Sequence, residues 1–154
     1  MSELKQKIRD DLTTSMKARD KEKTGTLRML LSALTQEETS GAKHELTDED
    51  VLRIIAREIK KRRESAEIYV QNNRQELADV ELTEASILEA YQPAQLSDDE
   101  LNVLIDESIA EVSDQTGEAA GMKHMGQVMK TATAKAEGRA DGKRLSTAVK
   151  SRLS

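Results

Sequence analysis

Tyr91-Gln92-Pro93-Ala94-Gln95-Leu96-Ser97-Asp98-Asp99-Glu100-Leu101 is the stretch whose reading decides the fold. Pro93 has no backbone N–H and disfavours the helical region for Gln92, so a helix arriving from upstream stops here. Ser97 is followed three positions on by Glu100, the pattern in which a side chain and the backbone cap each other at a helix start. Asp98 and Asp99 place negative charge at the positive end of that helix dipole. A stop and a start so close together, at the single proline of the chain, predict a boundary between two helical domains, 1–93 and 94–154.

Working outward, the apolar residues keep a helical period on both sides. Downstream, a fifth helix runs to about Val112 through Leu101, Leu104, Ile105 and Ile109. Thr116 to Gly121 reads as a loop. A sixth helix, about Lys123 to Ala136, is led by Met125, Val128 and Met129, with Gly138 as its C-terminal cap. A last helix follows Gly142 and carries Leu145, Val149 and Leu153. Upstream, the first helix spans about Glu3 to Arg19, with Leu4, Ile8, Leu12 and Met16 as its stripe. The second, Glu22 to Thr39, buries Leu27, Leu30, Leu31 and Leu34, widened by Met29 and Ala33. Thr47 and Asp50 form a capping box for a long third helix, Asp48 to Asn72. Its buried side is Val51, Ile55, Ile59, Ala66 and Tyr69, supported by Leu52, Ile54 and Val70. The fourth, Gln75 to Tyr91, offers Leu77, Val80, Ala85, Leu88 and Tyr91. The expected fold is all-α and two-lobed, four helices followed by three.

Composition agrees with this pattern. The 154 residues hold no Phe, no Trp and only two Tyr, and the residues that lose least rotamer freedom in a helix dominate. With no cysteine, disulfides, thiolate zinc sites and cysteine nucleophiles are excluded. Met1 to Asp11 lacks the apolar run of a signal peptide, and no apolar stretch approaches the roughly 20 residues that cross a bilayer. No membrane association and a cytoplasmic location are expected.

Charge is unevenly spread. Residues 1–74 hold 16 Lys/Arg and 14 Asp/Glu; residues 75–119 hold 13 Asp/Glu and no Lys/Arg; residues 120–154 hold 8 Lys/Arg and 2 Asp/Glu. Local balance matters more to a partner than the overall −5, because charges farther apart than about 8 Å are largely screened at physiological salt. The Lys60-Lys61-Arg62-Arg63 run, with Arg53 and Arg57, has two readings, RNA contact or pairing with the acidic fourth helix (Glu76, Asp79, Glu81, Glu84, Glu89), and the pairing is the favoured one. The C-terminal bases Lys123, Lys130, Lys135, Arg139, Lys143, Arg144, Lys150 and Arg152 have only Glu137 and Asp141 as neighbours in sequence. Docking on the acids of the fifth helix (Asp106, Glu107, Glu111) accounts for some of them, and phosphate contact suits the remainder. The near absence of aromatics argues against reading single-stranded bases by stacking, so a folded RNA backbone such as a tRNA elbow fits better.

Residues that carry catalysis are not found. His44 and His124 fall in loop-like segments and read as solvated, without metal-ligand spacing. No phosphate-cradling GxxxxGK[ST] loop exists. No catalytic residue, metal, cofactor or small-molecule substrate is expected.

Met125-Gly126-Gln127-Val128-Met129 followed by Gly138-Arg139-Ala140-Asp141-Gly142 resembles the M-G-x-V-M … G-R-A-D-G signature of the YqeY family. Leu27-Arg28-Met29-Leu30-Leu31, Leu46-Thr47-Asp48-Glu49, Lys60-Lys61-Arg62-Arg63-Glu64-Ser65-Ala66 and Tyr91-Gln92-Pro93-Ala94-Gln95-Leu96-Ser97 are also similar to that family, in the same order along the chain. Thr131-Ala132-Thr133-Ala134 departs from it, standing where many relatives carry larger apolar residues and a proline, a difference that bears on how firmly the sixth helix packs. The resemblance implies an all-helical two-lobed fold and kinship with the tail domain of the B subunit of the glutamine-dependent tRNA amidotransferase, a tRNA-contacting module. It implies that Gly126, Gly138, Ala140 and Gly142 allow tight turns or close backbone approach, and the bases beside them, Lys130, Arg139, Lys143 and Arg144, are the expected RNA contacts. The expectation is a non-catalytic tRNA-binding accessory protein, associated with a tRNA amidotransferase or synthetase complex. The alternative is a protein–protein adaptor working through the acidic stretch Glu76 to Glu118. A weaker alternative is a carbon–nitrogen ligase or amidase using glutamine as amide donor.

Overall fold

The computed structural model describes residues 2–154. Among them the chain is all-helical, with seven α-helices and no strand: α1 (Glu3–Lys17), α2 (Lys21–Thr39), α3 (Asp48–Gln71), α4 (Gln75–Glu89), α5 (Asp98–Thr116), α6 (Met125–Ala136) and α7 (Gly142–Leu153). They fall into two compact units, Met1–Gln92 and Pro93–Ser154.

In the first unit two helical hairpins share one core. Ser2 and Asp20 cap α1 and α2, accepting from the N–H groups of Lys5 at 3.0 Å and Lys23 at 3.1 Å, which satisfies donors that a helix start leaves open. Arg19 takes a left-handed conformation between them, and the Ser15 and Thr24 hydroxyls meet at 2.9 Å across the hairpin. The capping box expected at α3 is formed: Asp50 N–H donates to Thr47 Oγ1 and Thr47 N–H to the Asp50 carboxylate. Left-handed Asn73 turns the chain into α4. Ile8, Leu27, Leu30, Leu34, Val51, Ile54, Ile55 and Leu88 are fully or almost fully buried. Each contributes about 1.5–3 kcal/mol by leaving water.

Four residues expected in this core are exposed instead: Met16, Met29, Val70 and Val80. Met16 and Val70 occupy the last turns of their helices. Val80 lies two positions from buried Ala78, about 200° around the helix and so on the far side. Met16 and Met29 lie against guanidinium groups, Arg28 at 3.8 Å and Arg62 at 3.9 Å from their sulfurs. Tyr91 is buried and its hydroxyl donates to Asp11 at 2.6 Å; burial, then the Asp11 carboxylate, push its phenol well above the usual range.

The basic run of α3 meets the acidic fourth helix only through Arg62 and Arg63, whereas Arg53 pairs with Asp50 of its own helix and Arg57 with Glu37 of α2. Arg62, only 5% exposed, donates to Glu84 of α4 at 3.2 Å and to Glu58 at 3.1 Å, and Arg63 pairs with Glu89. Lys60 and Lys61 stay on their own helix, with Glu64 and Glu58.

The second unit packs α5, α6 and α7 around Ile105, Val112, Val128, Ala132, Ala136, Leu145 and Val149. The Ser97–Glu100 capping box is formed. α5 runs past the expected Val112 to Thr116, because Gly117 at φ +75° supplies the left-handed residue that ends it. A 3-10 turn, Met122–His124, precedes α6. α6 packs into this core through Val128, Ala132 and Ala136, all buried. No helix among the described residues is long and apolar enough to cross a membrane.

Candidate nucleic-acid interface

Neither α6 nor α7 contains an Asp or Glu, whereas α5 contains seven and no Lys or Arg. Folding brings this sequence contrast into contact. Lys135 pairs with Glu111 at 3.5 Å, Arg139 with Glu100 at 3.4 Å, Arg144 with Asp98 at 3.0 Å, and Arg152 with Asp106. Every acidic partner in these pairs is on α5.

The expected site residues therefore separate into two groups. Arg139 and Arg144 are half-exposed and engaged by partners within their own unit. Arg139 Nε donates to the Ala94 carbonyl at 2.8 Å, its own carbonyl accepts from Leu96 N–H at 2.8 Å, and Gln95 reaches the Gly138 carbonyl at 3.4 Å. The turn after α6 thus clasps the segment that leads into α5. The Glu100 carboxyl is held below its usual range by the Ser97 N–H and hydroxyl, with Arg139 adding to the effect.

Lys130 and Lys143 are exposed, as is Lys150, and none of the three makes an ion pair among the described residues. Lys143 and Lys150 are two turns apart on α7, opposite buried Leu145 and Val149. Lys130 lies two positions from each of buried Val128 and Ala132, on the outward side of α6. Sequence reasoning passed over Lys150 in favour of Arg139 and Arg144. The seven-residue spacing from Lys143 was the available signal, whereas the pairing of the arginines needs the tertiary fold.

The small residues of the signature also divide. Glu137 and Gly138 are consecutive left-handed residues, with φ of +48° and +79°, and they end α6. Ala140 is buried. Asp141 caps α7 by accepting from Arg144 N–H at 2.7 Å. Gly126 and Gly142 have open space where a side chain would stand, so no packing contact in this chain requires glycine there.

His124 corrects its expectation. It is 6% exposed; Nδ1 accepts from Gly121 N–H at 3.0 Å, so Nε2 carries the proton toward Glu118, 3.1 Å away. The ring closes the loop before α6. Lys123 first, then His124, hold the Glu118 carboxyl below its usual range. His44 remains exposed. Among the described residues no group of three or more His, Cys, Asp or Glu could hold a metal ion.

Fold and surface together define a two-unit helical protein with a charge-polarised C-terminal bundle. The family profile of Yqey-like proteins matches residues 5–153, nearly the whole chain, and this protein belongs to the YqeY family. It is 36% identical over 90 residues to an uncharacterised protein of Schizosaccharomyces pombe, covering 58% of this chain and 72% of that one. It is 31% identical over 87 residues to altered inheritance of mitochondria protein 41, mitochondrial, of Kluyveromyces lactis, covering 56% of this chain and 47% of that one. The match thus spans about half the length of the second relative.

Proposed function

We propose that this chain is a non-catalytic, cytoplasmic tRNA-binding accessory protein whose C-terminal unit meets folded RNA through the outer sides of α6 and α7. The observation that carries the reading is the absence of any acid on these two helices, which leaves Lys130, Lys143 and Lys150 unpaired toward solvent. Phosphates attract such cations whatever the base sequence. Both tyrosines of the chain lie in the first unit, which leaves this surface without rings for base stacking and favours backbone contact. Family kinship with the tail of the amidotransferase B subunit supports the same partner. Arg139 and Arg144 enter this proposal in a second role: exposed ion pairs are worth only about 0–1 kcal/mol, so a phosphate can displace Glu100 or Asp98.

The test is a titration of unfractionated tRNA by fluorescence anisotropy at roughly 50 and 200 mM salt. Affinity is expected to fall by at least about tenfold across that range. Lys130→Ala, Lys143→Ala and Lys150→Ala should each lower the logarithmic salt slope by about 1. Binding unmoved by salt and by all three substitutions defeats the reading.

A further inference from the structure

The acidic helix α5 carries a surface that the lysine-bearing sides of α6 and α7 do not use. A groove of about 650 Å³ runs along it. Its floor is apolar, formed by Leu96, Val103 and Leu104, and Val103 remains 57% exposed. Its rim carries Asp99, Glu107 and Glu137, none of which makes an ion pair among the described residues. The other charged groups lining it are already committed, Glu100 to Arg139 and Lys135 to Glu111.

Spacing gives the groove direction. Asp99, Val103 and Glu107 recur every four residues on α5, so they form one stripe with an aliphatic centre and an acid at each end. From Asp99 to Glu107 the stripe rises about 12 Å along α5, eight residues of helix. An isolated exposed valine needs no explanation. A valine that continues two largely buried leucines, between carboxylates lacking partners, is a surface with specific complementarity. Nucleic acid is repelled by that rim.

We propose that this groove docks a basic amphipathic helix of a partner protein. The partner places an aliphatic side chain over Val103 and Leu104, and lysines or arginines against Asp99 on one side and Glu107 and Glu137 on the other. Burial of the aliphatic contact supplies affinity, and the carboxylates set orientation and reject acidic segments.

The probe is a fluorescein-labelled helical peptide of about 15 residues with leucines four apart flanked by lysines. It is compared with an order-scrambled version and with one carrying glutamate for every lysine. Anisotropy titration of the full chain is expected to show the lysine peptide binding at least about tenfold tighter than either control. Val103→Ser and Glu107→Lys should each weaken it by about tenfold, a difference of about 1.4 kcal/mol. Both sites are exposed on α5, and unchanged circular dichroism and melting temperature show that the variants fold. tRNA affinity should be unchanged in Val103→Ser and should not fall in Glu107→Lys, which replaces a repelling charge with a cation; this separates the proposal from the lysine surface of α6 and α7. Equal affinity for the three peptides, or insensitivity to both substitutions, overturns it. So does self-association in sedimentation equilibrium that Val103→Ser abolishes, which assigns the groove to a second copy of this chain. Loss of tRNA binding in either variant assigns it to RNA and overturns it as well.

Discussion

Glycines and buried charges show at the residue scale which parts of the signature serve the fold. Gly138 sits at φ +79°, where an L side chain costs about 1 kcal/mol or more, and nothing fills the space at Gly126 or Gly142. Gly138→Ala is therefore expected to destabilise the second unit by about 1 kcal/mol, read as an earlier helical melt by circular dichroism. Gly126→Ala and Gly142→Ala should melt no earlier than the parent, since alanine lowers the entropy of the unfolded chain. An equal loss at all three positions contradicts this division. Arg62 is the buried charge on which α3 and α4 both depend, held by Glu58 and Glu84. Removing it leaves Glu84 without its cation and Glu58 with Lys61 alone, at 3.7 Å, and Arg62→Ala should cost about 3 kcal/mol in urea unfolding. A loss below about 1 kcal/mol means that water replaces the guanidinium readily.

For the helical elements, the two capping boxes set where α3 and α5 begin. Ser97→Ala removes one of the reciprocal bonds at the start of α5 and should cost about 1 kcal/mol. The Ser97 N–H and then its hydroxyl depress the Glu100 carboxyl, so that carboxyl should titrate closer to its usual range in the variant, measurable by NMR. The sign follows from linkage: a depressed carboxylate contributes stability that is complete above its unfolded value and lost as pH falls through the folded one. The parent should therefore keep α5 to lower pH than Ser97→Ala. Coincident acid transitions for the two proteins rule this out. These boxes were legible in the sequence because they are local, four residues from end to end. The exposure of Val80 was not, because a four-residue stripe and its neighbour two positions on look alike until a partner helix chooses one side.

Considered as a whole molecule, the chain has two separate apolar cores, one around Leu27, Leu34, Ile55 and Leu88 and the other around Ile105, Val128 and Val149. Tyr69 and Tyr91 both belong to the first unit. Tyrosine fluorescence should therefore follow that unit alone, while far-UV circular dichroism follows both. Denaturant midpoints from the two probes are expected to differ, as a chain with two cooperative units departs from two-state behaviour. Superimposable curves mean that the units unfold as one. The same partition bears on function, because the three unpaired lysines and the acidic groove both lie in the second unit and are tested independently.

The sequence alone established the all-helical class, the caps of α3 and α5, and the family, and it predicted a proline-bounded break after the fourth helix. All of these rest on short-range chemistry or on motif order. It also carried the contrast between an acid-only α5 and the acid-free α6 and α7. Only the tertiary structure decided how that contrast is used. Ion pairs form between residues as distant in sequence as Asp98 and Arg144, 46 positions apart, and a charge count cannot reveal which cations meet such partners. Folding commits Arg139 and Arg144 to α5 and leaves Lys130, Lys143 and Lys150 toward solvent, because packing Leu145 and Val149 inward fixes the rotation of α7 and every charge that rides on it.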